Sequence, residues 1–165
     1  MRKLKIYLDT SIISFLYADD SPDYKKATKE FFDEYINQYD VYITDFVIAE
    51  LDNTKDEDLR YKFQQVIKNN KLQKLDIDSN KNESIILLAN KYIEAKIIPE
   101  SKIDDAVHIA ICTIFDFDIL LSWNFKHIAN IKKQIQINTL NMQEGYLKEL
   151  YLINPLEVIY ENKDT

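Results

Sequence analysis

The chain has 165 residues, 46% of them apolar, with a formal charge of −7, one cysteine and one glycine. Its size and composition favour one domain with a real core and exclude a disordered chain or a disulfide scaffold. The single glycine excludes a Walker-type loop and a dinucleotide fingerprint, and the acidic balance argues against holding nucleic acid through a broad basic surface.

Lys3, Lys5 and Tyr7 alternate with Leu4, Ile6 and Leu8, which predicts a strand that stops on Asp9. Thr10 and Ser11 follow, then a short apolar helical start at residues 12–16. Ser21, Pro22 and Asp23 form a helix start, with Tyr24, Ala27, Phe31 and Tyr35 at helical spacing. Residues 40–44 read as the second strand and 45–51 as a short, mostly apolar helix. Thr54 and Glu57 have capping-box spacing ahead of a helix carrying Leu59, Phe63, Val66 and Ile67. Residues 72–77 read as a third strand and 80–96 as a helix. Pro99 breaks the chain, and a second capping box, Ser101 with Asp104, opens a helix to about Phe115. Residues 118–122 form the fourth strand, with Trp123 and Asn124 in the loop after it. Residues 126–142 fit either a helix or a strand hidden at 134–140; residues 149–153, before Asn154 and Pro155, fit a last strand. Asn162 onward reads as a frayed tail. Alternating strands and helices predict a parallel sheet covered on both faces.

Asp9, Glu50, Asp105 and Asn124 all fall where a strand ends or the next helix begins. Open parallel sheets bind ligands outside the carboxyl ends of their strands, so the four converge on one edge. Glu50 sits among apolar neighbours, where a charge needs a partner or a cation; a rim position or a salt bridge also accounts for it. Asp105 opens a helix that is apolar nearly all round. His108 reads as a core histidine, with a hydrogen bond to one of these carboxylates as the alternative. Asp116 and Asp118 belong to the opposite edge of the sheet, and Asp45 is accounted for as a helix cap. Donors that are all oxygen suit Mg²⁺ or Mn²⁺, ions that serve phosphoryl transfer. Asp9, Glu50 and Asp105 would hold one ion, with Asn124 as a neutral oxygen ligand. Thr10 or Ser11 would bind a phosphate oxygen or orient Asp9. Lys126, His127, Lys132 and Lys133 make either a basic rim for substrate or an ordinary solvated face. No apolar run approaches the roughly 18 residues of a membrane helix. Cys112, alone, fits a reducing compartment, so a cytoplasmic protein is expected.

Four segments together resemble the PIN domain family: Leu8-Asp9-Thr10-Ser11, Ile48-Ala49-Glu50, Asp105-Ala106-Val107-His108-Ile109-Ala110 and Leu121-Ser122-Trp123-Asn124-Phe125. The closing residues 153–159 are similar to the last strand of such proteins. The resemblance covers essentially the whole chain as a single domain, residues 1–165, with 160–165 as a tail. It implies a three-layer α/β/α sandwich with a central parallel sheet. It also implies an Mg²⁺- or Mn²⁺-dependent ribonuclease like the VapC-type toxins of toxin–antitoxin pairs. Residue by residue, the family's three acids fall on Asp9, Glu50 and Asp105. Its fourth acidic position falls on Asn124, where aspartate is common, so only the first of two metals would be fully held. Lys126 and the hydroxyls of Thr10 and Ser11 would contact RNA. A small antitoxin would fill the acidic cleft, and a homodimer is a further expectation. Two other readings stand beside this one: a non-catalytic PIN-like module that binds RNA or protein, and a phosphatase with Asp9 as nucleophile.

Overall fold

The structure is a computed structural model describing residues 2–163. Strands β1 (Lys5–Leu8), β2 (Asp40–Ile43), β3 (Gln73–Lys74), β4 (Ile119–Leu121) and β5 (Tyr151–Ile153) form one sheet. All four pairings are parallel and the order is β3-β2-β1-β4-β5. The connections carry α1 (Thr10–Ser14), α2 (Pro22–Glu30), α3 (Asp45–Asp52), α4 (Glu57–Asn69), α5 (Ser79–Glu94), α6 (Ile103–Ile114) and α7 (Ile131–Gln143). Helix α8 (Pro155–Lys163) follows β5. The chain steps one way from β1 to β2 and β3, then crosses back to β4 and β5. The two directions part between β1 and β4, which makes the crevice above their carboxyl ends the ligand position of such a sheet. The α/β/α sandwich is as expected.

Burial explains where local pattern misleads. Tyr7 was expected on a polar face, yet Ile6, Tyr7 and Leu8 are all fully buried. A central parallel strand is covered on both faces, so alternation carries no inside–outside information there. The third strand shrinks to Gln73–Lys74 because it is an edge, with Leu75 N–H adding one more bond to Ile43.

Both expected capping boxes form differently. Asp56, not Thr54, caps α4 by accepting from Leu59 N at 3.1 Å. At α6, Pro99 starts a 3₁₀ turn (Glu100–Lys102), and Lys102 N–H bonds Pro99 O at 2.8 Å. The helix therefore begins at Ile103 with no side-chain cap, and Ser101 is left outside it. Thr44 rather than Asp45 caps α3, through Val47 N. Asp45 lies one residue inside and meets Lys74 at 3.3 Å.

Residues 131–143 are helical, with no strand at 134–140. That helix guards the open edge of β5. Asn138 both donates to Leu150 O (2.8 Å) and accepts from Leu150 N (2.9 Å), and Gln134 accepts from Leu152 N (3.0 Å). Two amide side chains thus take the bonds a further strand would make, which protects an otherwise exposed edge. The stretch 153–159 is not one strand: the ladder ends at Ile153, Asn154 accepts from Leu156 N, and Pro155 opens α8. Residues 160–163 continue that helix, and 164–165 lie outside the described residues.

Asp118 sits at the amino end of β4, opposite the crevice, as expected. Its carboxylate takes a two-pronged bond from Arg2 (2.8 and 3.0 Å), Lys5 N (2.8 Å) and Lys148 Nζ (2.9 Å). The Arg2 hydrogen bond and the other donors outweigh burial and hold this carboxyl well below the ordinary carboxylate range. A depressed carboxyl stabilises the native state above its unfolded value, about 3.9, and loses that contribution as pH falls further. Asp118→Asn should cost about 1–3 kcal/mol at neutral pH. In urea unfolding series the gap from wild type should narrow steadily below about pH 4.

Candidate functional site

The first strand delivers Asp9 to the crevice. Asp9 N–H still bonds Leu121 O of β4, so the residue is locked to the sheet edge as it caps α1. Its side chain is 5% exposed. One carboxylate oxygen accepts from Ser11 N (3.0 Å) and Ser11 Oγ (2.5 Å); the other accepts from Ser122 Oγ. Each serine is itself anchored in the loop after β4. Ser11 Oγ accepts from Trp123 N, and Ser122 Oγ accepts from Asn124 N, both at 2.9 Å. The two ends of the switch point are therefore stitched together around one carboxylate. Burial pushes the Asp9 carboxyl above its ordinary value, against the pull of His108's charge and the serine hydrogen bonds.

Glu50 enters from α3, half-buried. Its Oε1 accepts from Thr10 Oγ1 (2.6 Å) and meets His108 Nε2 (2.7 Å). Burial, the largest single influence, raises this carboxyl, but the His108 bond, the His108 charge and Thr10 together bring it below its ordinary value. His108 lies on the buried face of α6, with its other nitrogen, Nδ1, 2.7 Å from Tyr7 Oη. Tyr7 Oη in turn meets Thr44 Oγ1 at 3.1 Å. β1, α1, α3 with its cap, and α6 share this chain of polar groups. Both imidazole nitrogens have protein partners, so the two expected readings of His108 meet: it is a buried core histidine and it bonds the carboxylate of Glu50.

Asp105 stands in the first turn of α6, half-buried. Burial raises its carboxyl, while His108, the Asn124 amide, His127 and Lys102 favour its ionised form. Asn124 Oδ1 accepts from His127 N at 3.0 Å. Its oxygen is thus engaged by the loop backbone and its amide acts on Asp105. A protonated His108 favours the ionised state of Asp9, Glu50 and Asp105 alike. None of the three pairs with lysine or arginine among the described residues; the seven ion pairs found there involve other carboxylates or His108. Thr10 and Ser11 spend their hydroxyl protons on Glu50 and Asp9. Lys126 is exposed two residues beyond Asn124.

Ser122 and Tyr7 were missed as site residues. Ser122 followed three apolar strand residues and carried no signal of its own; its place opposite Asp9 comes from strand pairing.

The family model described as PIN domain matches residues 6–130. The chain belongs to the PIN domain family. A comparison with curated proteins returned no match. The matched segment ends at Asn130 and so contains Asp9, Glu50, Asp105 and Asn124. PIN domains are a nuclease-type fold family, and their nucleases typically use divalent ions such as Mg²⁺ or Mn²⁺. The donor chemistry of this PIN domain fits such an ion: carboxylates without lysine or arginine partners among the described residues, two of them raised by burial. As the side chains stand, no three His, Cys, Asp or Glu groups among the described residues come close enough together to hold a metal directly. Mg²⁺ keeps several waters and uses one or two carboxylates, so its demand on direct protein ligands is small. No helix among the described residues is long and apolar enough to cross a membrane.

Proposed function

We propose that this PIN domain is an endoribonuclease that hydrolyses phosphodiesters of single-stranded RNA with Mg²⁺ or Mn²⁺. The observation that carries the reading is Asp9: a buried carboxylate at the switch point, positioned by two serine hydroxyls and balanced by no lysine or arginine. Asp9, Asp105 and Glu50 would hold the ion, which supplies charge neutralisation at the phosphodiester and a more acidic water. The protein's own part is orientation. Ser11 and Ser122 keep both Asp9 oxygens in place, Thr10 and His108 fix Glu50, and Asn124 acts on Asp105. Lys126 is assigned to substrate. Within toxin–antitoxin biology the chain would be the toxin, its acidic crevice closed by a basic side chain of a small antitoxin; finding a short neighbouring reading frame that encodes a small protein would support that role. A homodimer and a cytoplasmic location complete the proposal.

A second reading has its own support. The wide spacing of the acids and the engaged oxygen of Asn124 favour a non-catalytic module that binds RNA or protein. Incubating the purified chain with single-stranded RNA decides between them. Cleavage is expected with Mg²⁺ or Mn²⁺ and none after chelation. An intact substrate with both ions, or cleavage untouched by chelator, overturns the ribonuclease.

A further inference from the structure

Next to Asp105 the acidic surface reverses sign. A pocket of about 430 Å³ opens between the turn after α5 and the loop after β4. Lys96, Lys126, His127 and Lys133 line it, with Glu100 as the opposing charge. Three ammonium groups against one carboxylate give a local positive excess on a chain whose overall charge is −7. The pocket is held in shape from two sides. Lys133 Nζ donates to Ile97 O in its wall, and His127 is tied through its backbone N–H to Asn124 Oδ1. Asn124 also acts on Asp105, so one residue outside the pocket lining joins His127 of the pocket to the candidate site. The charges crowd one another there: besides burial, Lys126, Lys133 and Lys102 all disfavour protonation of His127.

We propose that this pocket binds a backbone phosphate of the RNA strand, next to the phosphodiester placed at Asp9 and Asp105. The inference rests on the ribonuclease reading for the identity of the strand. A cation is repelled by the lysines, and an apolar ligand gains little from them; a phosphate diester brings one negative charge and acceptor oxygens to several donors. The site offers no base-edge code, so it would position the strand and leave sequence choice elsewhere.

The test is binding, measured apart from cleavage. The Asp9→Asn chain is titrated in chelator with a short fluorescent oligouridylate over a salt series, and anisotropy gives the dissociation constant. Lys96→Gln and Lys126→Gln are then added; both lysines are exposed, and glutamine removes the charge while staying polar and one atom shorter. The slope of log affinity against log salt should become shallower by about 0.7 for each lysine removed. Lys29→Gln on α2, outside the pocket, should leave the slope of the parent. An unchanged slope in the double variant overturns the subsite, as does an equal change with Lys29→Gln or no binding by the parent. A wild-type chain that leaves RNA uncut while the pocket variants lose slope removes the ribonuclease and keeps the subsite. A chain that cuts RNA while those variants keep the parent slope removes the subsite alone.

Discussion

Asp9→Asn should lower RNA cleavage about a thousandfold while leaving the fold in place. The loss follows from the worth of a cation's charge stabilisation, several kcal/mol, at about 1.4 kcal/mol per factor of ten. The fold should survive because asparagine fills the same volume and the serines can adapt. Ser11 and Ser122 each already accept one backbone N–H, and a hydroxyl oxygen has room for a second donor. Stability gives an independent reading. Burial holds the Asp9 carboxyl above its ordinary value, so its ionisation costs native stability as pH rises through the folded value. Asparagine removes that cost. In chelator at neutral pH the variant should therefore melt no lower than wild type. Saturating Mn²⁺ should raise the wild-type melting temperature, by roughly 5–10 °C at a hundred times the dissociation constant, and should leave the variant unmoved. Wild-type cleavage rates in Asp9→Asn with Mn²⁺ would remove Asp9 from the chemistry.

The second large effect is expected at His108, which is a positioning residue. His108→Ala should cost about 2–4 kcal/mol, because it leaves both a cavity and stranded partners. Tyr7 Oη is fully buried and would keep only Thr44, and Glu50 would keep only Thr10. A fall in melting temperature of roughly 5–15 °C is expected, with a matching shift in the urea midpoint. A loss of stability alone does not distinguish a strut from a group that sets the state of Glu50. His108→Gln does. Glutamine offers a donor and an acceptor, so it should recover much of the stability without a ring that can carry charge. Since a protonated His108 favours ionised Glu50, the cleavage–pH profile of His108→Gln should move its acidic limb upward. A profile superimposable on wild type would leave His108 a structural role only.

Much of this molecule was readable from residue order. Asp9, Glu50 and Asp105 stood out because each carboxylate interrupts or borders an apolar run, where an unpaired charge is costly. Parallel topology followed from alternation of strands and helices, and the rejection of Asp118 followed from its place at the start of a strand. Local spacing was less informative wherever two residue types compete for the same backbone donors. Thr54 and Ser101 had the spacing of caps, yet Asp56 and a proline-led turn took those positions. Helix and strand also stayed unresolved across 126–142, because the choice there depends on β5, which that segment covers.

By itself the sequence determined most of the elements, that the candidate carboxylates fall where strands end or the next helix begins, and that the family is the PIN domain. Those follow from periodicity and from where charge can be tolerated along a chain. Only the tertiary structure decided how each acid is held. Ser122 reaches Asp9, Tyr7 reaches His108, and Asn124 turns its oxygen to the backbone and its amide to Asp105. The physical reason is that such contacts join residues far apart in the chain: strand pairing and helix packing set which hydroxyl or imidazole meets which carboxylate.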